Sequence, residues 1–153
     1  MKPGIVSVQF VDNGRFHDDI VLRLGDEQWR CDSYYLLIDH GMLADQEDAA
    51  KVREVLRRLL EQWHACVASL GEREACYLPY DFSDEYTGWL RCETAGPNLK
   101  VQRGWAEVEG YSFIPSDVGD LLRSLVGFRP EGTEIVMPRQ DFLHEIASQA
   151  AAM

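Results

Sequence analysis

Alternation of apolar and polar positions near the start of the chain predicts a β-hairpin. The run "IVSVQFV" (residues 5–11) is rich in β-branched side chains, and "DIVLRL" (residues 19–24) has the same character. The dipeptide Asn13-Gly14, which favours hairpin turns, lies between the two runs. The next apolar segment, "EQWRCDSYYLLID" (residues 27–39), predicts one or two further strands.

The pattern then changes to apolar residues at steps of three and four between residues 45 and 70. This spacing predicts a long amphipathic helix with one face on the core. Asp45 is the expected N-cap, and Gly71 follows the last apolar position, where a helix-ending glycine is common.

Three strand-like runs follow the helix. The first, "EACYLPY" (residues 74–80), is expected to end at Pro79, and "TGWLRCET" and "NLKVQRGWAEVE" flank the turn "AGPN". A hairpin centred on Gly96-Pro97 places each tryptophan opposite a glycine. The facing pairs are then Trp89 with Gly104 and Gly88 with Trp105.

The last third of the chain predicts a helix from Ser116 to Leu125, a strand "TEIVM", and a helix from Arg139 to about Ala150. The predicted fold class is therefore α+β in a single domain over residues 1–153. It comprises a mostly antiparallel sheet, one long amphipathic helix (about 45–70) and two shorter C-terminal helices.

Amino-acid composition and net charge narrow the range of binding partners to be considered. The 153 residues carry a net charge of -11, with an isoelectric point near 4.7, which disfavours nucleic acid and anionic membranes and favours a basic protein partner. No apolar run has the roughly 20 residues of a membrane helix, and no secretion signal is apparent. The four cysteines form no CxxC pair, so we expect reduced thiols in a cytoplasmic protein.

Common catalytic and cofactor motifs do not occur in the sequence. There is no phosphate-binding glycine loop or nucleophile elbow, and Ser148 replaces the second histidine of an HExxH zinc motif. We therefore predict no cofactor and no metal. Two acid–histidine groupings remain as weaker candidates for a site: Asp39-His40, and His17 beside two aspartates.

The densest cluster of aromatic and acidic residues is "YLPYDFSDEYTGWLRCE" (residues 77–93). Its acids are spaced as turn formers rather than as a catalytic pair across a substrate. Aromatic anchors with an acidic rim are typical of an interface for a basic protein. The predicted partner-binding residues are Tyr80, Asp81, Phe82, Asp84, Glu85, Tyr86, Trp89 and Trp105.

The leading hypothesis is a non-catalytic acidic binding protein, analogous in charge and size to immunity or inhibitor proteins. The alternative is a small hydrolase with a carboxylate or Asp-His site, and a third hypothesis is a self-associating subunit. The hydrolase hypothesis draws on Asp39, His40, Asp81, Asp84 and Glu85.

Overall fold

The computed structural model describes residues 6–153 and builds the α+β fold from two antiparallel sheets and their helices. Ile5 of the first predicted strand lies outside the described residues. In chain order the elements are β1 (Val6–Phe10), β2 (Ile20–Leu24), β3 (Glu27–Cys31), α1 (Tyr34–Leu37), α2 (Ala49–Ala68), β4 (Ala75–Phe82), β5 (Thr87–Ala95), β6 (Asn98–Ala106), α3 (Leu121–Ser124), β7 (Arg129–Pro130), β8 (Ile135–Pro138) and α4 (Arg139–Ala151).

The smaller sheet has the order β1-β2-β3 and confirms the N-terminal hairpin. Its first connection is a loop over residues 11–19 rather than a tight turn at Asn13-Gly14. Besides Gly14 (φ 75°), Phe16 and Asp18 adopt left-handed backbone conformations, with φ of 57° and 56°. Such angles are uncommon for residues with a side chain.

The first half of "EQWRCDSYYLLID" forms β3, the first of the one or two strands predicted there, whereas its second half is helical and forms no second strand. The chain leaves β3 at Cys31 and forms the short α1. Buried Asp19 fixes this change of direction, because its carboxylate accepts hydrogen bonds from the backbone N–H (2.9 Å) and the hydroxyl (2.7 Å) of Ser33. A buried carboxylate needs such donors.

The long helix α2 is confirmed, but its ends differ from the prediction. Asp48, not Asp45, is the N-cap, and its carboxylate accepts a hydrogen bond from the backbone N–H of Lys51 at 3.0 Å. At the other end the left-handed residue is Arg73 (φ 57°) rather than Gly71. The apolar face of α2 is buried, and Trp63 donates its indole N–H to the carbonyl of Pro79 at 3.1 Å.

The larger sheet has the order β4-β5-β6-β7, and β8 also pairs with β6. The β5–β6 register is the predicted one, with Trp89 opposite Gly104 and Gly88 opposite Trp105. Strand β4, however, continues past Pro79 instead of ending there. An edge strand tolerates a proline, and a register shift between Pro79 and Asp81 absorbs the irregularity.

The two faces of the larger sheet are covered by different parts of the chain. One face carries Leu78 opposite Leu90 and packs beneath α2, whose Cys66 contacts Cys76 of β4. The other face carries Trp89 and Tyr77. Two rings from the segment between β6 and β7 lie over that face: the Phe113 ring is 5.5 Å from Trp89 and the Phe128 ring 5.6 Å from Tyr77, between centroids.

Only the C-terminal part of the predicted helix from Ser116 to Leu125 is helical, as α3. Ser116 is buried and bonds to Asp39 instead of capping a helix. The last helix is confirmed as α4, which packs on α2 and β1. Its Gln149 side chain accepts from the N–H of Val8 (2.7 Å) and donates to the carbonyl of Val6 (3.1 Å), so that it covers part of the β1 edge.

Both sheets share one continuous cluster of buried apolar residues, consistent with a single α+β domain. Within residues 6–153, no helix has the length and apolar character needed to cross a membrane.

Candidate protein-binding surface

The eight predicted partner-binding residues differ in how deeply the structure buries them. Tyr80, Phe82 and Trp89 are buried, and Asp81 and Trp105 are half-buried. Asp84, Glu85 and Tyr86 are exposed. The three buried aromatic side chains therefore belong to the core and are not available for direct contact with a partner.

A tight turn produces this division. Because β4 extends to Phe82 instead of ending at Pro79, the connection to β5 contains only residues 83–86. The backbone N–H and the hydroxyl of Ser83 both donate to the carbonyl of Tyr86, at 3.1 and 2.9 Å. The turn thereby projects Asp84, Glu85 and Tyr86 outward.

Beneath the turn, three aromatic rings form what we call the inward cluster: Phe82, Trp89 and Phe113. The Phe113 ring stacks on Trp89 at 5.5 Å and lies 5.6 Å from Phe82. The Trp89 indole N–H donates to the Thr87 hydroxyl at 2.7 Å, which satisfies its only polar group. The inward cluster thus attaches the segment after β6 to the hairpin.

Backbone contacts place that segment beside the turn. The N–H of Gly110 donates to the carbonyl of Ser83 at 2.7 Å, and the Thr87 hydroxyl donates to the carbonyl of Val108 at 3.1 Å. A Cβ at residue 110 would lie 2.6 Å from the Ser83 carbonyl oxygen, so this close approach requires glycine.

The result is a concavity of about 560 Å³ formed by two segments distant in sequence. We call its lining the acidic–tyrosine surface: Asp84, Glu85, Tyr86, Glu107, Glu109 and Tyr111. Sequence reasoning did not assign the last three of these to a site. Their one signal was a run between Arg103 and Arg123 that contains acids and no base.

Trp105 supports this surface from behind. Its ring packs edge-on against Tyr86 at 5.2 Å, and the Arg129 guanidinium lies 4.9 Å from its centroid. Arg129 also approaches the carboxylate of Glu107, at 3.8 Å between exposed side chains. Such an exposed pair contributes little, roughly 0 to 1 kcal/mol.

A second concavity of about 440 Å³ adjoins the first and shares Asp84 with it. We call it the aromatic pocket; its lining residues are Arg15, Phe16, His17, Asp32, Tyr34, Tyr35, Phe82, Ser83 and Asp84. The Tyr35 hydroxyl donates to the Asp84 carboxylate. Burial, together with this hydrogen bond, raises the pKa of Tyr35 to about 12.

His17 and Asp32 form a pair on the same pocket. Nδ1 of His17 lies 2.8 Å from Oδ1 of Asp32, and the same oxygen accepts from the backbone N–H of Asp18 at 2.7 Å. The left-handed conformations of Phe16 and Asp18 give the loop the shape that makes these contacts.

The other acid–histidine candidate has a different environment. Asp39 is buried, and its carboxylate accepts from the N–H and hydroxyl of Ser116 and from the N–H of Gly41, at 2.6–2.9 Å. These bonds tie two loops together, whereas His40 is exposed. The geometry thus gives Asp39 a structural task and supplies no acid–base pair with His40.

Asp81 completes the placement of the candidate carboxylates. It is half-buried, and burial raises its pKa; nearby Asp32 acts in the same direction, while Arg103 opposes the shift. In the part of the chain that the structure describes, no group of three or more His, Cys, Asp or Glu side chains is arranged to hold a metal ion.

Comparison with known proteins finds no matching family model, no matching curated protein and no matching solved structure. Any function proposed for this chain therefore rests on the residues of the acidic–tyrosine surface and the adjoining pocket.

Proposed function

We propose that the chain is a non-catalytic acidic binding domain that captures a basic protein on its acidic–tyrosine surface. One observation carries the proposal. Two segments more than twenty residues apart bring carboxylates and exposed tyrosines onto one concavity, held by the bond between Gly110 and Ser83. An inhibitor-like or immunity-like role follows if the captured surface is the partner's own active surface.

The electrostatics support a cationic occupant. Four carboxylates line this concavity in a chain of net charge -11, and like charges held close repel one another. A basic surface relieves that repulsion, and the negative field accelerates its approach.

The tyrosines supply contact area. The exposed fraction is 45% for Tyr86 and 69% for Tyr111, so both rings stand open beside the acids. Tyrosine is enriched at binding hot spots because its rigid ring buries a large area and its hydroxyl can hydrogen-bond. Tyr86 is also braced by Trp105, which limits the ordering cost on binding.

The test is affinity capture from the native cell extract on immobilised protein, with the retained proteins identified and their binding then measured after purification. The disabling variant combines Glu85→Lys and Glu109→Lys, one substitution in each segment. We expect it to lower the affinity for the retained basic protein by at least about tenfold, with a weaker salt dependence.

A matched control changes the net charge equally at distant positions. Asp26→Lys with Glu134→Lys suits this purpose because Asp26 lies in the β2–β3 turn and Glu134 precedes β8, which pairs with the end of β6 remote from Glu107. Equal losses of affinity in the two variants would show that net charge alone causes the effect. They would reject this surface as the binding site.

A further inference from the structure

We infer that the aromatic pocket receives an arginine side chain of the basic partner, in preference to a lysine. This inference rests on the proposed function and adds the place where an arginine side chain of the partner would bind. The pocket is continuous with the acidic–tyrosine surface through Asp84, so a protein bound on that surface lies over its opening.

The walls suit a planar cation. Phe16, Tyr34 and Tyr35 line the pocket, and the rings of Tyr34 and Tyr35 meet edge to face at 5.5 Å. A guanidinium is planar and weakly hydrated, so it stacks on aromatic faces more readily than a compact, strongly hydrated ammonium.

Two carboxylates on the pocket are already oriented. Oδ1 of Asp84 accepts the Tyr35 hydroxyl, and Oδ1 of Asp32 is held by His17 and by the N–H of Asp18. Across residues 6–153, Oδ2 of each of these two aspartates accepts no hydrogen bond from another side chain or backbone group. Fixed acceptors match the rigid fork of N–H donors in arginine, and their pre-orientation lowers the cost of binding.

Arg15 opposes a cation in the pocket. Its side chain lines the same concavity, and it is exposed. If the occupant is an arginine, removing the Arg15 charge strengthens binding. If the occupant is an anion, the same change weakens it, so Arg15→Ala reports the sign of the ligand's charge.

The experiment uses two synthetic peptides of equal length and charge, one of alternating glycine and arginine and one of alternating glycine and lysine. Binding to the full chain is measured by calorimetry and by amide chemical shifts. We expect the arginine peptide to bind roughly tenfold more tightly and to shift the amides of Tyr34, Tyr35 and Asp84.

Two variants test whether the preference for arginine arises in the aromatic pocket. Tyr34→Ala removes an exposed wall, and Asp32→Asn removes one of the oriented charges; both are expected to reduce the arginine preference while affecting the lysine peptide little. Arg15→Ala is expected to strengthen binding of the arginine peptide, because it removes a positive charge from the pocket. Tyr34 is half exposed, at 51%, so its removal keeps the test valid even if Asp32→Asn disturbs the loop.

Each remaining outcome counts against the inference. Equal affinity for the two peptides, with salt-sensitive binding lost in the Glu85→Lys, Glu109→Lys variant, rejects the arginine pocket and leaves the proposed function standing. Binding of neither peptide rejects both proposals. Weaker binding in Arg15→Ala rejects a cationic occupant of the pocket.

Discussion

The inward cluster and the acidic–tyrosine surface come from the same two stretches of chain but follow opposite principles. In the inward cluster, Trp89 is fully buried and its polar group is satisfied. On the surface, carboxylates stand next to one another and tyrosine rings stay exposed. Phe82 and Asp84 are two residues apart, yet one lies in the core and the other on the rim.

This contrast separates stability from the proposed binding. The inward cluster lowers the free energy of the fold by burying apolar surface. The acidic–tyrosine surface brings like charges close together, and their mutual repulsion does not stabilise the fold. Substitutions in the cluster should therefore change the free energy of unfolding, and substitutions on the surface should change binding while leaving the fold intact.

The largest expected effect is that of Trp89→Ala. Removing a fully buried indole that stacks on Phe113 leaves a cavity and takes away the N–H donor to the Thr87 hydroxyl. We expect a loss of about 3–5 kcal/mol in the free energy of unfolding, measured by denaturant titration. The control is Tyr86→Ala, expected to cost less than about 1 kcal/mol. A Trp89→Ala variant as stable as this control would contradict the assignment of Trp89 to the core.

Gly104→Ala is expected to be next in size. A Cβ at this position would lie 2.4 Å from the backbone oxygen of Arg129 and 2.4 Å from the ring of Phe128, so β7 would have to move. We expect a cost of about 1–3 kcal/mol from such overpacking, again by denaturant titration.

The matched control for that substitution is Gly71→Ala. Its Cβ would first meet the end of the Glu74 side chain, at 3.1 Å and not backbone, and Gly71 is not left-handed. A change within about 0.5 kcal/mol is expected there. Similar values for the two glycines would mean that β7 does not pack closely on β6.

The hairpin that carries the inward cluster was predictable from sequence because local signals determine it. Gly96, with φ 59°, and Pro97 form the turn, and the register follows from it residue by residue, so the pairing of Trp89 with Gly104 was correct. The long helix and the last helix were predictable for the same reason, since their apolar spacing extends over many residues.

The surface was only partly predictable because its second half depends on a long-range contact. The bond between Gly110 and Ser83 joins segments whose sequences contain no sign of each other. Pro79 also misled the prediction, since an edge strand has no partner that needs its missing N–H. The strand therefore continued, and Tyr80 and Phe82 became core residues instead of loop residues.

On the surface itself, Glu109→Gln is expected to change stability by less than about 0.5 kcal/mol, with a tendency toward greater stability. The substitution removes one of four neighbouring negative charges and keeps the backbone carbonyl that accepts from Ser112. Unfolding at low and high salt checks this, because screening should shrink the difference between variant and wild type. A clear destabilisation would mean that the carboxylate has a structural role and would weaken the separation of the two regions.

The smallest expected effect concerns the boundary between the two regions, at Tyr35. Its pKa is raised to about 12, from an ordinary value near 10, by burial first and by the hydrogen bond to Asp84 second. The neutral phenol is thus favoured in the folded state. Its contribution to stability is complete below pH 10 and is lost as the pH rises through about 12.

Phenolate absorbance compared between wild type and Tyr35→Phe isolates this titration. In Asp84→Asn we expect the pKa of Tyr35 to fall only part of the way toward 10, because burial remains when the carboxylate charge is gone. A return to the ordinary value would show that Tyr35 depends on Asp84 alone and belongs with the surface. An unchanged pKa would show that the bond does not form, and that Asp84 is free on both of its oxygens to meet a cation.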